Sequence, residues 1–371
     1  MNLIEQRFIR HFDYLCCILT ALIASIGLLF VFSATYSTEQ PFSLFFKKQA
    51  FGLAAGVLIY IICSCINFRV LLRWGYFAYL VVIGLLIFTI IKGSFGMGAQ
   101  RWISLGLFKF QASELTKLFF PAFAIYYFYT EKNNRPVRST RSFIPPILSL
   151  LGSFLLVLKQ PDLGTALIIL FSGATLFWQI GLDRKIFIAA LTICTIGTPL
   201  IWHTVLKPYQ KKRILVFLGE GEQKKERYQI EQSKIAIGSG GIFGKGFLCG
   251  TQNKFKFLPE CRTDFIFSVI AEELGFLGGL FIILLYTALF VRMLILAYAI
   301  NNGLVQALAI GMIIHLIFSA LINIGMVIGL LPIVGIPLPL MSYGITNVWV
   351  SMASLGWFNS IIMRQFYHEK T

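Results

Sequence analysis

The residues of this chain that could do chemistry stand at the edges of apolar runs. The richest stretch is 257–276, FLPECRTDFIFSVIAEELGF, where Asp264 closes a long basic segment at a water–membrane boundary. A carboxylate there costs free energy unless it is paired, hydrated or used. The run 110–117, FQASELTK, carries Glu114 and Lys117 three residues apart, on one face of a helix that Ser113 would cap. Such a pair can be an ordinary surface contact, but both groups enter the bilayer, where charge is expensive, and that favours use. In 98–106, GAQRWISLG, Arg101 adjoins Trp102. Trp is ordinary at an interface and Arg can snorkel there, so binding and anchoring both stay open. In 159–165, KQPDLGT, Pro161 breaks a helix and Asp162 either caps the next one or serves a ligand. The run 238–246, GSGGIFGKG, with Lys245, either cradles a phosphate through its N–H groups or is a structural turn, and it lacks the P-loop pattern. Lys256 is a further cation of the same segment. Finally 329–344, GLLPIVGIPLPLMSYG, is apolar but broken by Pro, so it must be buried in protein or line a cavity, to which Ser342 and Tyr343 would bring hydroxyls. His315 and Asn323 read as helix-packing groups rather than ligands.

The elements that must position these residues are membrane helices. Of 371 residues, 57% are hydrophobic and only 13% charged, against about 25% charged in soluble domains. The expected fold is an all-α polytopic membrane protein, one domain over 1–371, with ten transmembrane helices. Apolar runs place them at 14–34, 49–66, 74–91, 113–129, 143–158, 164–180, 186–206, 276–297, 304–330 and 346–363. The fifth and sixth are short. A long loop, 207–265, separates spans seven and eight, and within it 228–238 has helical spacing.

Lys and Arg concentrate on the loops that share a side with both termini, which predicts cytoplasmic termini and an extracytoplasmic 207–265 segment. The basic content of that segment runs against the rule, although long loops translocate largely regardless of charge. Asp264, Glu114, Lys117, Arg101, Asp162 and Ser342 then share the outer side. A cavity with paired charges flanked by lipid suits an amphiphile with an anionic head. The net charge of +16 fits anionic lipid headgroups as well as an anionic substrate. The scattered basic residues exclude a nucleic-acid reader. No signal peptide is read at the first span. Of the seven Cys, those in apolar spans act as small hydrophobes, and none has metal-ligand spacing. Cys249 and Cys261 could pair if their loop lies outside the cytoplasm.

The motifs GAQRWISLGLFKFQASELTK, KQPDLGTALII, IAIGSGGIFGKGF, FLPECRTDFIFSVIAEELGFLG and GLLPIVGIPLPLMSYG, in this order, resemble the SEDS family, which includes RodA and FtsW. The short N-terminus and KQPDLGTA are more similar to the RodA, or elongation, branch. Many members have a second Gly where Ile345 follows SYG. The resemblance implies a bacterial inner-membrane peptidoglycan glycosyltransferase that polymerises lipid II for cell-wall biogenesis, cell shape and cell division. In that family the Asp of the LPE segment is essential, which points to Asp264. The same carry-over reaches Glu114 and Lys117 as catalytic companions and Arg101 and Asp162 as substrate contacts, with Lys245, Lys256 and Ser342 as further candidates. It also implies a class B penicillin-binding protein and other elongation-complex membrane proteins as partners. No tightly bound cofactor is expected, and a divalent cation, Mg or Mn, is left open beside the pyrophosphate. Lys117 would help keep Asp264 ionised. Two rival readings are a flippase for lipid-linked precursors, on the strength of its broken helices and intramembrane charges, and a structural scaffold.

Overall fold

The computed structural model describes residues 12–96, 99–104, 109–131, 140–197, 211, 215, 224–251 and 257–365. The helices are α1 (Tyr14–Thr35), α2 (Leu44–Cys65), α3 (Phe68–Lys92), α4 (Ala112–Glu131), α5 (Ile144–Lys159), α6 (Leu163–Ile180), α7 (Arg184–Ile196), α8 (Lys224–Ser239), α9 (Ile266–Tyr298), α10 (Gly303–Val327) and α11 (Ile345–Gln365). Between α3 and α4 a small antiparallel sheet runs β1 (Ser94–Gly96), β2 (Ala99–Ser104), β3 (Lys109–Phe110) in sequence order. Ser94 pairs with Trp102, and Ile103 with Phe110.

Seven helical segments of the described residues are long and apolar enough to cross a membrane: α1, α2, α3, α5 with the 3₁₀ turn before it, α6, α9 and α10. The helices α4 and α11 are as long but more polar, because they carry the buried charges and amides described below. All ten expected spans correspond to helices, although the end of the seventh lies outside the described residues. The structure starts α2 and α3 five and six residues earlier than their apolar runs. The Ser43 hydroxyl accepts from Phe46 N at 3.2 Å and the Asn67 side chain from Arg69 N at 3.0 Å, so each helix begins at its cap, within a cation-bearing turn.

The long α9 is two helices in one. Gly275, with φ 70° and ψ −166°, breaks it after nine residues. A break leaves carbonyls and N–H groups without helical partners, and buried ones must find others. They find them in the glycine run. Lys245 N and Gly246 N donate to the carbonyls of Glu272 and Glu273 at 3.1 and 2.9 Å, and Phe276 N and Leu277 N donate to those of Gly241 and Ile242 at 2.8 and 3.2 Å. The contact is so close that a Cβ on Gly244 or Gly275 would overlap the opposing backbone. The run is therefore a structural turn. Its Lys245 and Gly246 amides are used by the protein, and none of the two is left to cradle a phosphate.

The core lies where α4, α6, α10 and α11 meet α2, α3, α5 and α9. The segment 328–344 passes without helix over α1, α6 and α9 at the same end as the sheet. Gly27 of α1 admits its close approach, since a Cβ there would collide with Met341. Leu340 holds φ 67° in the same bend, a strained value for a side-chain-bearing residue.

Candidate active site

Asp264 stands just before α9, whose N-cap is Phe265. The turn into it is set by Glu260, at φ 55°, whose carbonyl accepts from Thr263 N at 3.1 Å. Three consecutive carbonyls are then held from elsewhere in the fold. Tyr343 N donates to Arg262 O at 2.9 Å, Ser342 Oγ to Thr263 O at 2.5 Å, and Asn323 Nδ2 to Asp264 O at 2.8 Å. Asn323 Nδ2 also donates to Ile336 O at 2.7 Å, tying α10 to the broken segment. The backbone under Asp264 is thus fixed while its side chain stays half-buried. Opposite it, Gly335 holds φ +74°, and a Cβ there would lie 3.5 Å from Asp264 Oδ2.

The broken segment is anchored in turn by Gln49 of α2. Its Nε2 donates to Ser342 O and its Oε1 accepts from Gly344 N, both at 3.1 Å. Ser342 also accepts from Leu338 N at 2.8 Å, so its hydroxyl is engaged on both sides within the protein.

One helical step along the segment brings α11 against α4. Lys117 Nζ lies 2.9 Å from Glu114 Oε1, with side chains 3% and 5% exposed, and Asn347 Nδ2 donates to Glu114 Oε2 at 3.1 Å. Lys117 therefore answers Glu114 directly. The helix begins at Ala112, and the Ser113 hydroxyl is buried inside it with no partner among the described residues rather than capping it.

Arg101 of β2 and Asp162 form a second cluster. Arg101 donates from Nε to Gln160 O at 3.1 Å and from Nη2 to Pro161 O, and its Nη1 lies 3.8 Å from Asp162 Oδ1. Asp162 caps α6 by accepting from Thr165 N at 3.3 Å and also accepts from Gln111 Nε2 at 2.8 Å. These two residues fasten the sheet to the α5–α6 corner. Lys245 is paired with the buried Glu272 at 2.6 Å and bonded to Thr251. Lys256 lies outside the described residues. Cys249 and Cys261 are not joined in a disulfide, and Cys261 is directed at Ala34 O.

Sequence reasoning did not single out Gln49, Arg262, Glu272, Glu273 or Asn347, and it read Asn323 only as a packing group. Arg262 neighbours Asp264 in the chain. Its guanidinium lies 3.9 Å over the ring of Phe45, and its buried Nε has no hydrogen-bond partner among the described residues. Burial pushes the Cys261 thiol and the Tyr343 hydroxyl above their ordinary ranges, and the Arg262 charge pulls both back. Chemically, the end of the molecule with the sheet combines a rigidly mounted carboxylate, a cation stacked on a ring, and a buried ion pair.

The family model described as a cell cycle protein of the FtsW, RodA and SpoVE type matches residues 13–367. The peptidoglycan glycosyltransferase MrdB of Escherichia coli strain K12 is 37% identical over 325 residues, 87% of this chain and 86% of its own. A solved structure concerning coordination of polymerization and crosslinking by a peptidoglycan synthase complex superposes with a TM-score of 0.79 at 27% identity, covering 97% of this chain and 99% of that one. The crystal structure of the rod shape determining protein RodA of Thermus thermophilus gives 0.71 at 26% identity, covering 96% and 98%.

Proposed function

The chain belongs to the FtsW, RodA and SpoVE family of cell cycle proteins, and from that premise we propose how it works: it is a peptidoglycan glycosyltransferase that polymerises lipid II during cell elongation, with Asp264 as general base. The observation that carries the assignment of Asp264 is the mounting of its backbone by Tyr343, Ser342 and Asn323, with the carboxylate left half-buried opposite a residue that has no side chain. A base mounted on a fixed backbone is kept within reach of the proton it takes, and such a base contributes about 10²–10⁴-fold.

The 4-hydroxyl oxygen of one lipid II attacks the anomeric carbon of an undecaprenyl-pyrophosphate-linked glycan. The new C–O bond forms as the bond to the pyrophosphate breaks. The hydroxyl proton passes to Asp264, and the pyrophosphate leaves with the electron pair. Inversion at that carbon needs no covalent glycosyl-enzyme. Arg262, half-buried and stacked on Phe45, supplies positive charge to the leaving group. Glu114, Lys117 and Asn347 set the polar wall of the same region, and Arg101 and Asp162 hold the sheet that borders it.

Among the described residues no group of three or more His, Cys, Asp and Glu gathers to hold a metal. A divalent cation, Mg or Mn, would be bound chiefly by pyrophosphate oxygens, and the chain's own residues handle the proton and the leaving group. We further propose that the sheet end faces outward from the bacterial inner membrane, that both termini are cytoplasmic, and that the partner is a class B penicillin-binding protein. The named activity of the relatives favours polymerisation over lipid flipping.

The test is glycan synthesis from purified lipid II by the chain with its penicillin-binding partner, comparing wild type with Asp264→Ala at matched folded yield. Polymer from wild type alone supports the reading. Polymer from both removes Asp264 as the base, and lipid crossing without polymer in proteoliposomes would reinstate the flippase.

A further inference from the structure

At the opposite end of the molecule from the sheet, a cavity of about 610 Å³ opens between α3, the last turns of α4 and α11, and the α9–α10 turn. Its volume is that of a ligand pocket. Its polar wall carries Arg69, Arg73 and Arg364, and among the described residues no carboxylate lines it. Arg364 is a fixed structural group, donating to Ser64 O at 3.1 Å, to Ser360 Oγ at 2.7 Å and to Cys65 O. Arg69 and Arg73 are different. They stand four residues apart on one face of α3, where like charges repel. Among the described residues no carboxylate pairs with either guanidinium. Both arginines are exposed, so their repulsion costs little, and an anion held between them would offset it. The rest of the wall is mixed: Asn301, Asn302, Tyr126 and Tyr129 bring polar groups, and Phe68, Leu72, Ile125 and Ile300 form its apolar part. Immediately beyond Arg73, Trp74 and Phe77 are exposed by 61% and 60%, which marks this side of α3 as lipid-facing.

We propose that this cavity is a binding site for an anionic glycerophospholipid, its phosphate between Arg69 and Arg73 and the first part of an acyl chain along the apolar wall. The phosphate is the shared chemistry, and the apolar wall with its lipid-facing rim selects a lipid over a free anion. A zwitterionic headgroup gains less, because no carboxylate among the described lining residues would receive its ammonium. The site is remote from Asp264 and independent of the reaction assigned to it.

Native mass spectrometry of the purified full chain tests this with phosphatidylglycerol and with phosphatidylcholine of matched chains. Wild type is expected to retain one phosphatidylglycerol in preference to phosphatidylcholine. The pair Arg69→Ala and Arg73→Ala should weaken that retention about thirtyfold, at about fivefold per arginine near a lipid phosphate, and leave phosphatidylcholine unchanged. Arg69→Lys with Arg73→Lys should keep most of the preference, which guards against a folding artefact in the alanine variant. Equal retention of the two lipids by wild type overturns the proposal whatever the variants do. So does undiminished phosphatidylglycerol preference in a folded alanine variant. Displacement of the lipid by millimolar glycerol phosphate would identify a free-anion site instead.

Discussion

Replacing Lys117 by Met removes half of an ion pair that has almost no access to water. Two unit charges 2.9 Å apart attract by roughly 6 kcal/mol at an effective dielectric of about 20, while desolvating each ion takes back several kcal/mol. The intact pair is therefore close to neutral for stability. The broken pair is not, because Glu114 stays buried with only the amide of Asn347 to answer it, and such a loss costs about 3–5 kcal/mol. Adding Glu114→Gln removes the second charge, keeps the shape and keeps an oxygen for Asn347 Nδ2. The double variant should return to within about 1 kcal/mol of wild type, since a matched neutral replacement of a buried pair is nearly neutral. The assay is paired: thermal melting of purified protein in one detergent, and polymerisation of lipid II below every melting transition. Lys117→Met should melt well below wild type, and the double variant should recover the melt without recovering the activity. If Lys117→Met melts with wild type, the pair is not the desolvated ion pair its burial implies. If the double variant polymerises at the wild-type rate, both charges are structural and have no part in the chemistry.

Asn323→Ala withdraws the donor from the carbonyls of Asp264 and Ile336, at about 1–3 kcal/mol for each one left unsatisfied. Melting should fall accordingly, and turnover should fall further than the apparent affinity for lipid II. Gly335→Ala forces a side chain into a left-handed position 3.5 Å from Asp264 Oδ2. It should cost about 1–2 kcal/mol of stability and reduce polymerisation by up to about 10²-fold, against a modest change in melting. Cys249 is exposed, whereas Cys261 is largely buried with a raised thiol pKa. A membrane-impermeant maleimide on intact cells should therefore label the chain through Cys249, and Cys249→Ser should abolish the signal. Cys261 should react appreciably only as the pH is raised. Labelling that needs cell lysis would refute the outward orientation.

The helices were legible because apolar runs of membrane length leave little alternative. Their starts were less so. An apolar window excludes Lys47, Lys48, Arg69 and Arg73, yet the helices include them, since the caps at Ser43 and Asn67 decide where the hydrogen-bonding begins. Gly275 was visible in EELGFLGG, but a glycine inside an apolar run does not announce a break. The break is set by its docking to Gly241 and Ile242, some thirty residues earlier in the chain. Asp264, Glu114 and Lys117 stood out because charge is rare where they lie. Gln49 and Asn323 did not, because a lone amide in an apolar helix reads the same whether it packs two helices or clamps a loop. Only the fold brings Gln49 to Ser342 and Asn323 to Asp264. Arg262 was hidden by its neighbours: in a basic loop one more cation carries no signal until its ring partner is known.

The same bonds serve folding and the site, and that constrains how the site can change. Nonhelical backbone at membrane depth must have its polar groups answered by protein. The segment 328–344 and the turn 260–265 are both nonhelical and packed within the protein, and each answers the other. Leu338 N, Ser342 Oγ and Thr263 O form one chain of hydrogen bonds. Tyr343 N meets Arg262 O, and Asn323 meets both strands of the junction. Removing Ser342 Oγ therefore leaves one donor and one acceptor unsatisfied at once, and no single second substitution supplies both. Proline in 329–344 reinforces this, since each proline deletes an N–H that would otherwise need a partner and stiffens the path between those that remain. The backbone of Asp264 is thus fixed by groups whose first duty is to satisfy the polar groups of an unwound chain. Loosening them to move Asp264 would expose unpaired carbonyls before it altered the chemistry.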